Sequence, residues 1–169
     1  MKRFKKYTQH FSTFLLLLLL LSSCGTVTTL DVPNQKISVK AIGPLFEGVN
    51  TATANFKFKD LLPENTKLSD IHSAKIEAFK LLPSTEDFPA NKGFTALLAA
   101  PNYSMQEFGF SNALKTDKLN FKLAEDQAFL KNILKDSSQT LVIDFTLNED
   151  LYDNLEFEAE IKWNIQLKN

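Results

Sequence analysis

Arginine, cysteine and tryptophan each occur once in these 169 residues, as Arg3, Cys24 and Trp163. Each scarcity excludes something. A lone cysteine cannot close an intramolecular disulfide. His10 and His72 are the only histidines, so the usual zinc sets of Cys and His ligands cannot be assembled. No serine lies in a Gly-x-Ser-x-Gly turn. A histidine base needs a partner and a nucleophile within hydrogen-bond reach. His72 sits in the polar stretch Ser69-Asp70-Ile71-His72-Ser73, and a solvated loop histidine is the plainer reading. Arginine supplies the planar fork that grips carboxylates and phosphates in two places, and beyond Arg3 every basic residue is a lysine. From Cys24 onward, 15 lysines face 20 acidic residues, a net charge of about −5, which argues against nucleic-acid binding. One apolar run, the eight residues Phe14 to Leu21, stands out. As a helix it spans about 12 Å, short of a hydrocarbon core of about 30 Å.

That run has the setting of a secretory signal. Lys2, Arg3, Lys5 and Lys6 precede it, and small residues follow. Leu21-Ser22-Ser23-Cys24 resembles the lipobox of bacterial lipoproteins. The resemblance implies that residues 1–23 are cut away, that Cys24 is lipidated on sulfur, and that its new amino group is acylated. One acyl chain anchors marginally, whereas two or more anchor stably. The implied localisation is the bacterial cell envelope. Gly25, where the inner-membrane version of the signal carries Asp, leans toward the outer membrane. Gly25-Thr26-Val27-Thr28-Thr29 holds no acidic run of the kind found on some surface-exposed lipoproteins, which leans toward the periplasmic face.

Residues 24–34 show no sustained period and read as a lipidated N-terminus and tether, reaching about 30 Å if extended. Residues 35–169 read as one domain, large enough for a single core. Strand signals dominate it. Ile37, Val39 and Ala41 alternate with polar residues, as do Phe56 and Phe58, then Leu119, Phe121 and Leu123, while Leu141, Ile143, Phe145 and Leu147 alternate with Val142, Asp144 and Thr146. The longest case is Leu155, Phe157, Ala159, Ile161, Trp163, Ile165 and Leu167, with polar residues between. Strict alternation of this kind predicts a strand with one wet face. Ser73 to Leu82 has helix-favouring composition, but Pro83 and the neighbouring strands decide for a strand. One helix is expected at Glu125 to Asp136, with Phe129, Leu130, Ile133 and Leu134 on one stripe.

Turn signals recur at Gly43-Pro44, Pro63-Glu64-Asn65, Pro83-Ser84, Asn91-Lys92-Gly93, Pro101-Asn102 and Asn148 to Asn154. The fold class is therefore all-β, an antiparallel two-layer β-sandwich (Ig-like or jelly-roll-like) of seven or eight strands with one short helix. A strand like Ala74 to Phe79, a polar loop, a Leu-rich helix and a long C-terminal hairpin, as at Phe129 to Leu167, make the chain loosely similar to small β-sandwich lipoproteins of Bacteroidota. The pattern is generic and implies no activity.

Candidate chemistry is thin. Glu149, Asp150 and Asp153 crowd the loop before the last strand and offer oxygens of the kind that hold calcium. The glycine that such turns require is missing, so a solvated hairpin loop is the better reading. Glu156, Glu158 and Glu160 line the wet face of the last strand, where cross-strand lysines would offset them. Adjacent carboxylates on one open face give no cleft and no distinct environments for acid–base work. Trp163 belongs to the apolar row and hence to the core. Aromatics for ligand contact are sought instead in Phe88, Phe94, Tyr103, Phe108 and Phe110, with Tyr103, Phe108 and Phe110 as the ligand-binding candidates. The expected function is a non-enzymatic, membrane-anchored envelope lipoprotein, without cofactor or metal, that presents its sandwich to another envelope protein. The alternative is a module binding carbohydrate or another small molecule. A cleft holding exposed candidates beside polar groups would favour the latter, and a bare strand edge the former.

Overall fold

The last strand organises the molecule. The computed structural model describes residues 26–83, 91–112 and 119–168. In it β10 (Leu155–Lys168) buries Leu155, Phe157, Ala159, Ile161, Trp163 and Ile165, as the alternation predicts. The other strands are β1 (Val27–Leu30), β2 (Gln35–Ala41), β3 (Gly48–Phe56), β4 (Ile71–Pro83), β5 (Asn91–Ala100), β6 (Tyr103–Ser111), β7 (Leu119–Asn120), β8 (Lys122–Leu123) and β9 (Gln139–Leu147). All pairings are antiparallel, in the order β7-β4-β10-β2-β3-β9-β5-β6-β8, with β1 added beside β10. The described residues form ten strands instead of the expected seven or eight: the run expected over Leu119 to Leu123 is split into β7 and β8, which pair with different strands, and β1 carries no periodic signal.

The sheet folds over on itself into two layers. β2 meets β3 at one residue pair, Lys40 with Thr53, which marks one corner. At the opposite corner residues 119–124 stitch both free edges together. Leu119 and Asn120 pair with β4, Lys122 and Leu123 pair with β6, and the Ala124 amide donates to the Phe108 carbonyl (2.9 Å). The result is the expected antiparallel sandwich, nearly closed into a flattened barrel. Phenylalanines fill the space between layers. Phe79 meets Phe108 edge-on (centroids 5.1 Å apart), and Phe157 meets Phe145 (5.6 Å) and Phe94 (6.1 Å). Such pairs add about 0.5–1.5 kcal/mol beyond burial.

Three expectations shift. First, Ser73 to Leu82 is a strand as expected, but with bulges. His72 and Glu77 are the extra residues against β10, so the buried side moves from Ala74 and Ile76 to Phe79 and Leu81, and Ala78 is only half-buried. His72 is accordingly an exposed strand residue. Second, the helix is one turn, α1 (Leu130–Ile133), not Glu125 to Asp136. Its start is diverted because the Gln127 side chain is buried against β4. Gln127 Oε1 accepts from the Ile76 amide (2.8 Å), and its Nε2 donates to the Ile76 carbonyl (3.3 Å) and the Ala124 carbonyl (3.0 Å). A side-chain amide thus replaces a neighbouring strand on the β4 edge, which blunts that edge against further pairing. Third, part of the stretch read as tether belongs to the sheet: Val27–Leu30 pairs with the end of β10, and Val32 is buried.

This topology gives the domain two poles. Val27 lies opposite Lys168, at the C-terminal end of β10. Ala41 lies opposite Leu155, at its N-terminal end. Fourteen strand residues separate these ends by roughly 40 Å. α1 and two 3₁₀ turns, Phe58–Leu61 and Leu68–Asp70, cover the pole near Val27. Buried Gln139 ties that cap together. It accepts from the Phe58 amide (2.7 Å) and donates to the carbonyls of Ile133 (3.0 Å) and Asp136 (3.1 Å).

Candidate functional site

Among the described residues, two loops, 42–47 and 148–154, lie at the pole far from Val27. They are bonded to each other as a strand pair would be. Leu45 and Leu151 exchange backbone hydrogen bonds at 2.7 and 2.8 Å. Asn154 Oδ1 accepts from the Gly43 amide (2.9 Å), and Asp150 Oδ1 accepts from the Glu47 amide (2.8 Å). A Cβ at position 43 would lie 2.7 Å from the Asp153 carbonyl oxygen, so only glycine permits this approach. Gly48, at φ +108°, closes the first loop in a conformation that side chains disfavour. Leu45 is buried beneath the loops.

What these loops expose is apolar. Ile42 (79%), Phe46 (61%) and Tyr152 (79%) point to solvent, and Val49 (77%) continues the patch onto β3. These are four of the eight large hydrophobic residues exposed among those described. Acidic side chains accompany them: Glu47, Glu149, Asp150 and Asp153 are all exposed. No lysine occurs in residues 42–50 or 148–154. The acidic loop is exposed as expected, but it is not a hairpin loop, and the expected C-terminal hairpin does not form: β9 pairs with β3 and β5, β10 pairs with β2 and β4, and residues 148–154 cross between them. The aromatic candidates did not include Ile42, Phe46 and Tyr152. Their signal was available: large apolar residues among Gly, Pro, Asn and Asp, out of step with any strand period.

The outer face of β2, β10 and β4 differs sharply. Glu156, Glu158 and Glu160 meet the cross-strand lysines expected for them. Lys36 binds Glu158 (2.6 Å) and Glu160 (3.5 Å), and Lys40 binds Glu156 (3.3 Å). The Ser38 hydroxyl, donating at 2.5 Å, and Lys40 hold the Glu156 carboxyl below the usual range. Lys162 and the Asn164 amide do the same for Glu77. In return Glu158 raises the Lys36 ammonium and Glu77 raises that of Lys162.

The ligand-binding candidates are not brought together. Phe108 is fully buried against Phe79, a core contact unavailable to any ligand, because β6 bulges there and turns it inward. Phe94 is also buried. Phe88 and Cys24 lie outside the described residues. Tyr103 (44% exposed) begins β6 opposite Ala100, whereas Phe110 (38%) sits near its other end opposite Thr95. Phe110 borders an open groove of about 530 Å³ on the outer face of β3, β9, β5 and β6, with Val49, Thr95, Glu107, Asp144 and Thr146. The Thr51 hydroxyl donates to Asp144 (2.6 Å), and the Lys122 ammonium lies 5.8 Å from the Phe110 ring centre. Trp163 is core, edge-on to Phe58 at 5.1 Å. Among the described residues, no three His, Cys, Asp or Glu side chains converge in a way that would hold a metal.

No protein-family model matches this chain, and no curated protein matches it. Among solved structures it is similar to a carbohydrate-binding module of the β-sandwich superfamily, at TM-score 0.34 and 14% identity, over 83% of this chain and 58% of that one. A likeness this distant carries no functional information.

Proposed function

We propose that the protein is a non-enzymatic envelope lipoprotein, anchored through lipid on Cys24, that presents the far-pole loops, residues 42–47 and 148–154, to a protein partner. The observation that carries this reading is the placement of the exposed apolar loops at the opposite end of β10 from Val27. Cys24 precedes Val27 by three residues, a reach of at most about 10 Å. An anchor there holds one pole at the membrane and sends the other outward. Exposed aromatic and aliphatic side chains gathered at one end of a domain are a usual centre of a protein contact. Gly25 and the lack of an acidic run in residues 25–29 favour an anchor in the outer membrane, on its periplasmic face. Replacing Cys24 with Ala moves the protein out of the membrane fraction. Crosslinking in intact cells, read by mass spectrometry, gives a discrete adduct that Phe46→Ser/Tyr152→Ser abolishes. An adduct unchanged by that pair would sink the reading.

The groove beside Phe110 supports a second reading, a small-molecule site of carbohydrate type, since hydroxyl and carboxylate groups flank a half-exposed ring there. Saturable glycan binding lost in Phe110→Ala would establish it. Glycan binding indifferent to Phe110 would remove the groove from consideration.

A further inference from the structure

The acidic and apolar character of the far pole restricts what it can meet. We infer that the partner is a protein surface rich in lysine and arginine around an apolar pocket, which rests on the reading above that this pole docks a protein. Three observations carry it. Ile42, Phe46, Val49 and Tyr152 supply the exposed apolar centre. Glu47, Glu149, Asp150 and Asp153 are exposed in the same two loops, and neither loop holds a lysine. Among the described residues, no ion pair joins any of these four carboxylates. On the outer face of β2, β10 and β4, by contrast, Glu156, Glu158, Glu160 and Glu77 each meet a lysine.

The remaining occupants fit worse. An anionic bilayer attracts basic segments and repels carboxylates. The bilayer holding Cys24 would also lie at the other end of the domain. A second copy docked pole to pole would set the same four carboxylates against themselves across a two-fold axis, and like charges face to face cost several kcal/mol. A basic surface with an apolar pocket satisfies both features. It buries the rings at its centre and places its cations at the rim, where they set encounter rate and register.

The test uses the full lipoprotein in intact cells, with the photoreactive residue p-benzoylphenylalanine at position 152. Two variants are compared with the parent, E47K/E149K/D153K and the gentler E47Q/E149Q/D153N. Asp150 is left alone because it holds the Glu47 amide. Circular dichroism establishes that each variant folds, and the neutral variant serves if the reversed one does not. The expected result is a protein adduct whose crosslinked peptide borders clustered Lys or Arg. Its yield falls about tenfold or more on charge reversal and less on neutralisation. A yield unchanged by both variants, or a crosslinked peptide on a neutral or acidic surface, overturns this inference and leaves protein docking standing. Failure to form any protein adduct, or adducts only with lipid or a second copy, overturns both.

Discussion

Two acidic regions of one small domain are treated in opposite ways. On the outer face of β2, β10 and β4 the carboxylates lie on a regular ladder. Antiparallel register there puts a lysine or a hydroxyl opposite each in turn, as Lys36, Ser38 and Lys40 stand opposite Glu160, Glu158 and Glu156. At the far pole the acids stand on loops with no lysine, beside apolar residues that no strand covers. The ladder is self-sufficient and reads as scaffold. The far-pole loops hold exposed acids and apolar side chains without a lysine, and on the proposed reading they are the contact surface. The difference teaches that acidity by itself locates nothing. What matters is whether the same chain answers it.

The largest expected effect lies beneath the ladder. Phe157 is fully buried and touches Phe94 and Phe145. Phe157→Ala should lower the free energy of unfolding in urea by about 3–5 kcal/mol through the cavity it leaves. A loss under about 1 kcal/mol would mean that the two layers are not packed as described.

Gln127→Ala comes next. It strips the β4 edge of its side-chain partner and should cost about 1–3 kcal/mol, the penalty for leaving buried amide groups unmet. Gly43→Ala should cost a similar amount, about 1–3 kcal/mol by overpacking against the Asp153 carbonyl, and it acts between the two far-pole loops. It should also weaken the crosslink at the far pole, while Gln127→Ala should spare it. If Gln127→Ala removed the adduct as well, the two regions would not be separable.

Phe46→Ser and Tyr152→Ser sharpen the comparison from the other side. Both residues are exposed, so each change should leave stability within about 0.5 kcal/mol while removing the adduct. A surface kept for packing would show the reverse.

The smallest effect is in pH. Glu77 and Glu156 are held below the usual carboxylate range in the folded chain. Their contribution is full above the unfolded carboxylate value and fades as pH falls through the folded ones. Lys36 and Lys162 are held above the usual lysine range, so their contribution is full below the unfolded lysine value and fades as pH rises through the folded ones. The melting midpoint should therefore be flat between the two limbs. Glu77→Gln/Glu156→Gln should shallow the acid limb, and the difference should shrink in 1 M salt, where the screening length is about 3 Å.

Much of the fold was legible because burial on one side of a strand writes a period of two into the sequence. Leu155 to Ile165 shows it, and so does the cross-strand pairing that Glu156 to Glu160 demanded. The bulges at His72 and Glu77 were not legible. A bulge changes which residues face inward without changing composition. The one-turn helix was overread because Gln127 is a good helix former whose side chain finds a better use on the β4 edge. Val27–Leu30 was overlooked because a four-residue strand with exposed side chains carries no apolar signal. The candidate site was half visible. The acids of residues 149–153 stood out, but pairing with the loop around Phe46 is a long-range event that local pattern does not record.

The opposition of the two poles is tested most directly in vesicles carrying the full lipidated protein. A fluorophore is placed on Val27→Cys or on Tyr152→Cys, with nitroxide-labelled lipids as quencher. The account predicts strong quenching at position 27 and none at position 152, which lies roughly 40 Å away along β10. Equal quenching at both positions, or stronger quenching at 152, would contradict it.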